Sequence, residues 1–105
     1  MTDTMITYVA NARSYIGTLM VAPETSPRAG VVLLPDWRGQ SALAHDHARH
    51  LVGLGCTVVI ADLYGDGFNP TDPDQVGPMV QHLLGARREG VAALAACVEA
   101  LRVKL

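Results

Sequence analysis

Two short apolar runs separated by a helical segment constrain the fold of this chain more than any other feature. Residues 31–34 and 57–61 are uninterrupted apolar or β-branched runs, which are typical of strands buried on both faces. Apolar residues between these runs recur at helical spacing: Ala44, Ala48, Leu51 and Val52. Ser41 stands at the N-cap position of that segment, and Gly55 follows it as a stop. The order predicts a right-handed βαβ unit with parallel strands.

The rest of the chain divides into shorter segments around this unit. Residues 5–10 and 15–22 are β-rich and flank turn-forming residues 11–14, which predicts an antiparallel hairpin. Residues 23–30 and 64–74 are predicted loops, and a helix is expected over 76–84. A final helix begins near Arg87, and its apolar stripe is predicted from helical spacing as Val91, Leu94, Ala95, Val98 and Leu101. We therefore expect one α/β domain over residues 1–105, a hairpin leading into a parallel βαβ sheet flanked by helices.

Charge and cysteine usage exclude several classes of function. The net charge of −2 gives no electrostatic support for binding nucleic acid or an anionic membrane. The N-terminus has no positively charged segment followed by an apolar block, and no apolar run is long enough to span a bilayer, so a cytoplasmic protein is expected. Cys56 and Cys97 lie far apart without C-x-x-C spacing, and we expect two buried free thiols rather than a disulfide.

Polar residues follow both predicted parallel strands, at the edge of the sheet where ligands bind in open α/β folds. After the first strand, Asp36 can begin a turn or serve a site, and Trp37 can pack or line a pocket. Arg38 is expected to be a solvated loop residue or a partner for Asp36, and Gly39 is expected to permit an unusual backbone shape. After the second strand, Asp62 is expected to cap the following turn, and Tyr64 can line the mouth of a pocket.

Neither a metal nor a cofactor is expected from the sequence. On a helix, His45 and His47 point about 200° apart, so they and His50 cannot share one face. No H-E-x-x-H pattern is present, and the glycines at 65, 67 and 77 match neither a dinucleotide-binding nor a P-loop pattern. Nucleotide binding is therefore not predicted.

The order of these pieces resembles the dienelactone hydrolase family of the α/β-hydrolase fold. The matching stretches are Leu34-Pro35-Asp36-Trp37-Arg38-Gly39 and Ala61-Asp62-Leu63-Tyr64-Gly65. They correspond to the family's His/Gln-Glu-x-x-Gly loop and to its strand ending in Asp-Leu-Tyr. The loop over residues 66–70 and the helix over 87–105 are similar as well. The resemblance implies the N-terminal half of an α/β-hydrolase fold.

The resemblance also implies a hydrolase of ester or lactone bonds that works through a covalent acyl-enzyme. The family's Cys (or Ser), Asp and His, with a Gly-x-Cys-x-Gly elbow, are then expected beyond residue 105. By position, the amide of Trp37 resembles a backbone oxyanion donor, and Asp36 stands where the family has a Glu that contacts the nucleophile. Asp36 is one methylene shorter than that Glu. Tyr64 is expected at the substrate pocket.

Two other functions fit the same residues. Because an amphipathic helix reaches Leu105 with no strand after it, we expect a chain that is cut short and a sheet with an open edge. Such a chain could be a non-catalytic α/β module that binds a partner, or forms a homo-oligomer, through that edge. A small flavodoxin-like ligand-binding domain is the third hypothesis. The partner implied by the leading hypothesis is a small ester or lactone.

Overall fold

The computed structural model describes residues 3–22 and 29–105 and has a mixed α/β architecture. Its elements, in chain order, are β1 (Asp3–Ala10), β2 (Arg13–Met20), β3 (Ala29–Leu33), α1 (Ala42–Gly53), β4 (Cys56–Ile60), α2 (Pro73–Gly85) and α3 (Arg87–Val103). The four strands form one sheet in the order β1-β2-β4-β3. The predicted loop over 23–30 lies outside the described residues except for its last two positions, which begin β3.

The predicted hairpin is confirmed, with a tighter turn than expected. β1 and β2 pair antiparallel along their whole length, and only Asn11 and Ala12 connect them. Both residues have positive φ, 56° and 57°, as a type I′ turn requires, and that turn matches the right-handed twist of the strands. Arg13 and Ser14 belong to β2 rather than to the turn, because they pair with residues of β1.

The βαβ unit is confirmed as well. β3 and β4 run parallel, with Val31 opposite Val58. The Ser41 hydroxyl caps α1 by accepting a hydrogen bond from the Ala44 amide at 3.4 Å. The buried face of α1 consists of Ala44, Ala48 and Val52. Gly55 follows the helix with a φ of 94° and donates to the Val52 carbonyl, so it provides the predicted stop.

The prediction that both strands are buried on two faces is correct only for β4. Val58, Val59 and Ile60 are fully buried at the centre of the sheet. β3 is the outer strand of the described sheet, so it pairs on one side only, and none of its residues is fully buried. The same apolar pattern therefore occurs in a central strand and in an outer one.

The predicted apolar stripe of α3 is wrong at all but one position. The helix packs against the sheet through Ala93, Cys97 and Leu101, whereas the side chains of Val91 and Val98 are 68% and 47% exposed. The large rings of Tyr8 and Tyr15 fill the space on this face of the hairpin, stacked 5.5 Å apart. Small residues on this face of the helix leave room for those rings. A prediction that looks for large aliphatic residues therefore misses this face.

The parallel strands bring two connections together at their carboxyl ends. We call them the first loop (residues 34–41, after β3) and the second loop (residues 61–72, after β4). The Ala61 amide donates to the Leu33 carbonyl at 2.9 Å and ties the two loops at their starting points. The second loop ends earlier in the chain than predicted, because Asp72 and Gln75 form a capping box that starts α2 at Pro73.

Candidate active site

A four-residue turn dominates the first loop. The Gly39 amide donates to the Asp36 carbonyl at 3.0 Å, and the Arg38 amide donates to Asp36 Oδ1 at 2.9 Å. Neither Trp37 nor Arg38 has a positive φ, so the turn is of type I, and Gly39 closes it with a φ of 72°. Asp36 therefore begins a turn, which is one of the two roles predicted for it, and Gly39 supplies the unusual backbone shape.

The turn fixes the direction of the Trp37 amide. This N–H belongs to the same peptide unit as the Asp36 carbonyl, which points towards Gly39 inside the turn. The structure contains no cis peptide in its described part, and in a trans peptide the N–H points opposite to the C=O. The Trp37 N–H is thus directed away from the turn, and within residues 3–22 and 29–105 it makes no hydrogen bond.

The second loop reaches the first through Tyr64. The Tyr64 hydroxyl donates to the Trp37 carbonyl at 2.8 Å, although the two residues are 27 positions apart. The Tyr64 side chain is buried, and burial, followed by the negative charge of Asp36, raises the pKa of its hydroxyl above the ordinary value of 10.0. The hydroxyl therefore stays protonated at neutral pH and remains a hydrogen-bond donor.

Asp62 holds the start of the second loop. Its Oδ1 accepts hydrogen bonds from the Tyr64 and Gly65 amides at 3.1 and 3.0 Å. Its Oδ2 accepts from the Ile16 amide of β2 at 2.9 Å and from the Gly67 amide at 2.8 Å. A buried carboxylate with four N–H donors is fully satisfied. The predicted role of Asp62 as a cap for the following turn is confirmed.

Further side chains join the two loops to the hairpin, and the sequence did not single them out. Arg13 Nη2 donates to the Tyr64 carbonyl at 2.8 Å. The Gln40 amide donates to Asn69 Oδ1 at 2.9 Å, and the Gln40 side chain donates to the Ile16 carbonyl at 2.8 Å. These contacts depend on which strands are neighbours, and no local pattern around Arg13, Gln40 or Asn69 indicates them.

Arg38 and Asp36 form the expected ion pair, 3.2 Å apart, on the outside of the turn. Both side chains are close to half exposed, so the pair adds little stability. The Arg38 guanidinium also lies 5.2 Å from the centre of the Trp37 ring, within the range of a cation–π contact. The three residues predicted at the site, Asp36, Trp37 and Tyr64, are thus brought together at one edge of the sheet.

Cys97 does not have the setting of a nucleophile, and Cys56 lies at the start of β4, at the opposite end of the strand from the two loops. Both are free, as expected, but only Cys97 is fully buried, whereas Cys56 is half-buried. Burial raises the pKa of the Cys97 thiol, and its neighbour is the Tyr8 hydroxyl. A nucleophilic thiol needs a lowered pKa and access to substrate.

Other kinds of site were sought in the described part of the chain. No group of three or more His, Cys, Asp or Glu side chains there could hold a metal ion. No helix among these residues is both long enough and apolar enough to cross a bilayer. A cavity of about 340 Å³ lies between the hairpin, α2 and α3, and residues Tyr8, Leu63, Tyr64, Met79 and Leu83 are among those that line it.

Comparisons with known proteins found a matching family and solved structures with a similar fold. The family model described as the dienelactone hydrolase family matches residues 16–104. A solved structure named m3DLH is 31% identical, with a TM-score of 0.86 over 95% of this chain and 42% of its own. A dienelactone hydrolase-like promiscuous phosphotriesterase from metagenomic libraries is 28% identical, with a TM-score of 0.86 over 96% of this chain and 42% of its own.

An alpha/beta hydrolase from Penicillium sp. sh18 shares the fold at 19% identity, with a TM-score of 0.51 over 82% of this chain and 31% of its own. Among curated proteins, no significant match is found. The chain spans 42% of the length of each of the two structures with the higher TM-score.

Proposed function

Because the chain belongs to the dienelactone hydrolase family, we propose that the protein hydrolyses ester or lactone bonds through a covalent acyl-enzyme. In this proposal the Trp37 amide donates a hydrogen bond to the oxyanion that forms when the nucleophile attacks the carbonyl. We place the nucleophile, the acid and the His outside these 105 residues. The substrate is a small ester or lactone, and the two free cysteines are compatible with a cytoplasmic location.

The observation that carries the proposal is the Trp37 N–H itself. It lies at the carboxyl ends of β3 and β4, where α/β folds build their sites, and it makes no hydrogen bond within the described residues. Hydrogen bonds to the Asp36 and Trp37 carbonyls hold the two peptide units that flank Trp37. A donor that is already oriented needs no reorganisation as charge develops, which is what oxyanion stabilisation requires.

The same donor would serve a phosphoryl substrate. One structural neighbour is described as a promiscuous phosphotriesterase, and attack on a phosphotriester also places negative charge on an oxygen. We therefore include an aryl phosphotriester beside p-nitrophenyl esters and an aryl lactone as probes. The family membership supports hydrolysis in general, and the probes decide which bond is cleaved fastest.

Two substitutions of Trp37 test its amide and its side chain separately. Trp37 occupies the second position of a type I turn, where proline is favoured, so Trp37→Pro removes the N–H with the turn kept. We expect kcat of the full-length gene product to fall by about 10²–10³ for Trp37→Pro, the usual cost of an oxyanion donor. Trp37→Ala removes the ring, retains the amide and is the matched control, for which we expect kcat within about tenfold of the wild type.

Two results would contradict this proposal. Equal kcat for Trp37→Pro and the wild type would show that the Trp37 amide has no role in the mechanism. If the full-length gene product turned over none of the probes and instead bound a partner through β3, the non-catalytic module would be the better description. Mass spectrometry of a trapped acyl adduct adds a third test, because we expect the adduct outside residues 1–105 and on neither Cys56 nor Cys97.

A further inference from the structure

We propose that Tyr64 is a positioning residue for the oxyanion donor, and that it acts on the Trp37 amide through its hydrogen bond to the Trp37 carbonyl. This inference rests on the proposed function. It differs from the role expected from the sequence, in which Tyr64 contacts the substrate.

The Tyr64 hydroxyl bonds to the Trp37–Arg38 peptide unit, which has the weakest other support in the turn. The Asp36–Trp37 unit is fixed by the Gly39 amide within the turn. The next unit, Trp37–Arg38, is held at its N–H by the carboxylate of Asp36, which is 44% exposed and open to competing water. The Tyr64 hydroxyl holds the other end of that unit, its carbonyl, at 2.8 Å. With both units held, the backbone of Trp37 cannot rotate, and its N–H keeps one direction.

Tyr64 is itself held at three points. Its amide donates to Asp62 Oδ1 at 3.1 Å, and its carbonyl accepts from Arg13 at 2.8 Å. Its ring packs edge-on against Phe68, with 6.5 Å between ring centres. The Tyr64 hydroxyl is therefore fixed relative to the hairpin and to β4, and it fixes the turn in the same way. The N–H of Trp37 is thus oriented before substrate arrives.

The geometry argues against a hydrogen bond donated by Tyr64 to the substrate. A tyrosine has one O–H to donate, and here it is committed to the Trp37 carbonyl. Tyr64 is 8% exposed and lines the cavity between the hairpin, α2 and α3, so its ring can offer an apolar contact there while its O–H is already used. The raised pKa of the hydroxyl keeps the proton in place over the neutral pH range.

Tyr64→Phe in the full-length gene product tests the inference, because it removes the hydroxyl and retains the ring contact with Phe68. We expect kcat to fall about tenfold, the value of one neutral hydrogen bond, with KM within about twofold of the wild type. The affinity for a trifluoromethyl ketone, whose tetrahedral adduct places an oxyanion at the donor, should fall by the same factor. Tyr15→Phe is the matched control, since the Tyr15 hydroxyl makes no hydrogen bond to the described residues.

A double-mutant cycle distinguishes positioning from general support of the fold. If Tyr64 acts through the Trp37 amide, Tyr64→Phe has no further effect on kcat in the Trp37→Pro background. An equal loss in both backgrounds, or an increase in KM alone, would overturn the inference. A normal kcat for Trp37→Pro counts instead against the proposed function. A large loss for Trp37→Pro with none for Tyr64→Phe refutes only the role of Tyr64.

Discussion

Gly39 shows how a single residue sets the shape of the candidate site. Its φ of 72° lies in the region that side chains disfavour, and a Cβ built there would overlap Asn69 Oδ1. That oxygen cannot move away freely, because it accepts the hydrogen bond from the Gln40 amide. Glycine at this position therefore permits both the end of the 36–39 turn and the close approach of the second loop.

Gly39→Ala is expected to lower the free energy of unfolding by about 1–3 kcal/mol, from backbone strain and the contact with Asn69. The change should also lower kcat, since the Gly39 amide anchors the peptide unit that carries the Trp37 N–H. Gly53→Ala is the control, because Gly53 lies in α1 with nothing within 4 Å of an added Cβ. Denaturant unfolding should show Gly53→Ala as neutral or slightly stabilising. Equal destabilisation by both changes would contradict this account of Gly39.

At the scale of elements, Asp62 joins strands that are far apart in the sequence. Its carboxylate lies at the end of β4 and accepts hydrogen bonds from β2 and from three amides of the second loop. Each carboxylate oxygen accepts two of the four bonds. An asparagine has one such oxygen and an NH₂ group in place of the other, so two N–H donors would face another donor.

We expect Asp62→Asn to lower the free energy of unfolding by at least about 2 kcal/mol, since each buried N–H left without an acceptor costs about 1–3 kcal/mol. Asp46→Asn is the matched control on α1, where the carboxylate is 71% exposed and, within residues 3–22 and 29–105, pairs only with Arg49. That change should alter stability by no more than about 0.5 kcal/mol. Similar unfolding midpoints for the two variants would show that the Asp62 network is not a major source of stability.

The sequence predicted the elements better than it predicted their contacts. Apolar runs, caps and turn formers act over a few residues, so the hairpin, the βαβ unit and the roles of Ser41 and Gly55 could be predicted. The buried face of α3 could not be predicted, because it includes small residues such as Ala93 that leave room for the tyrosine rings of the hairpin. The bond between Tyr64 and Trp37 spans 27 positions and exists only because two parallel strands end side by side.

At the scale of the whole molecule, the sheet has two outer strands with different properties. β1 is the longer of the two, and its exposed positions include the polar residues Asp3, Thr4 and Thr7 as well as Met5 and Val9. β3 is shorter, consists mainly of apolar residues, and pairs only with β4 among the described residues. Unpaired backbone groups on a short apolar strand are a template for another strand. The hypothesis of association through an open edge therefore concerns β3 more than β1.

The 105-residue polypeptide by itself is expected to self-associate as its concentration rises, by strand pairing along β3. Ala29→Lys places a charge at an exposed position on this strand and should shift the population towards monomer in sedimentation velocity. Thr7→Lys places the same charge at an exposed position of β1 and should have no effect. A polypeptide that is monomeric at every concentration, or one that responds to Thr7→Lys alone, would show that β3 is not the contact.

The 36–39 turn separates two properties of Trp37 that selection can act on independently. The proposed chemical work falls to backbone atoms, whereas the indole ring lies half-buried beside the Arg38 guanidinium and takes no part in holding the turn. Every amino acid except proline supplies the same N–H. Under the proposed mechanism, point mutations at this codon that avoid proline change the side chain and keep the oxyanion donor, so position 37 can diverge between related genes without loss of that donor.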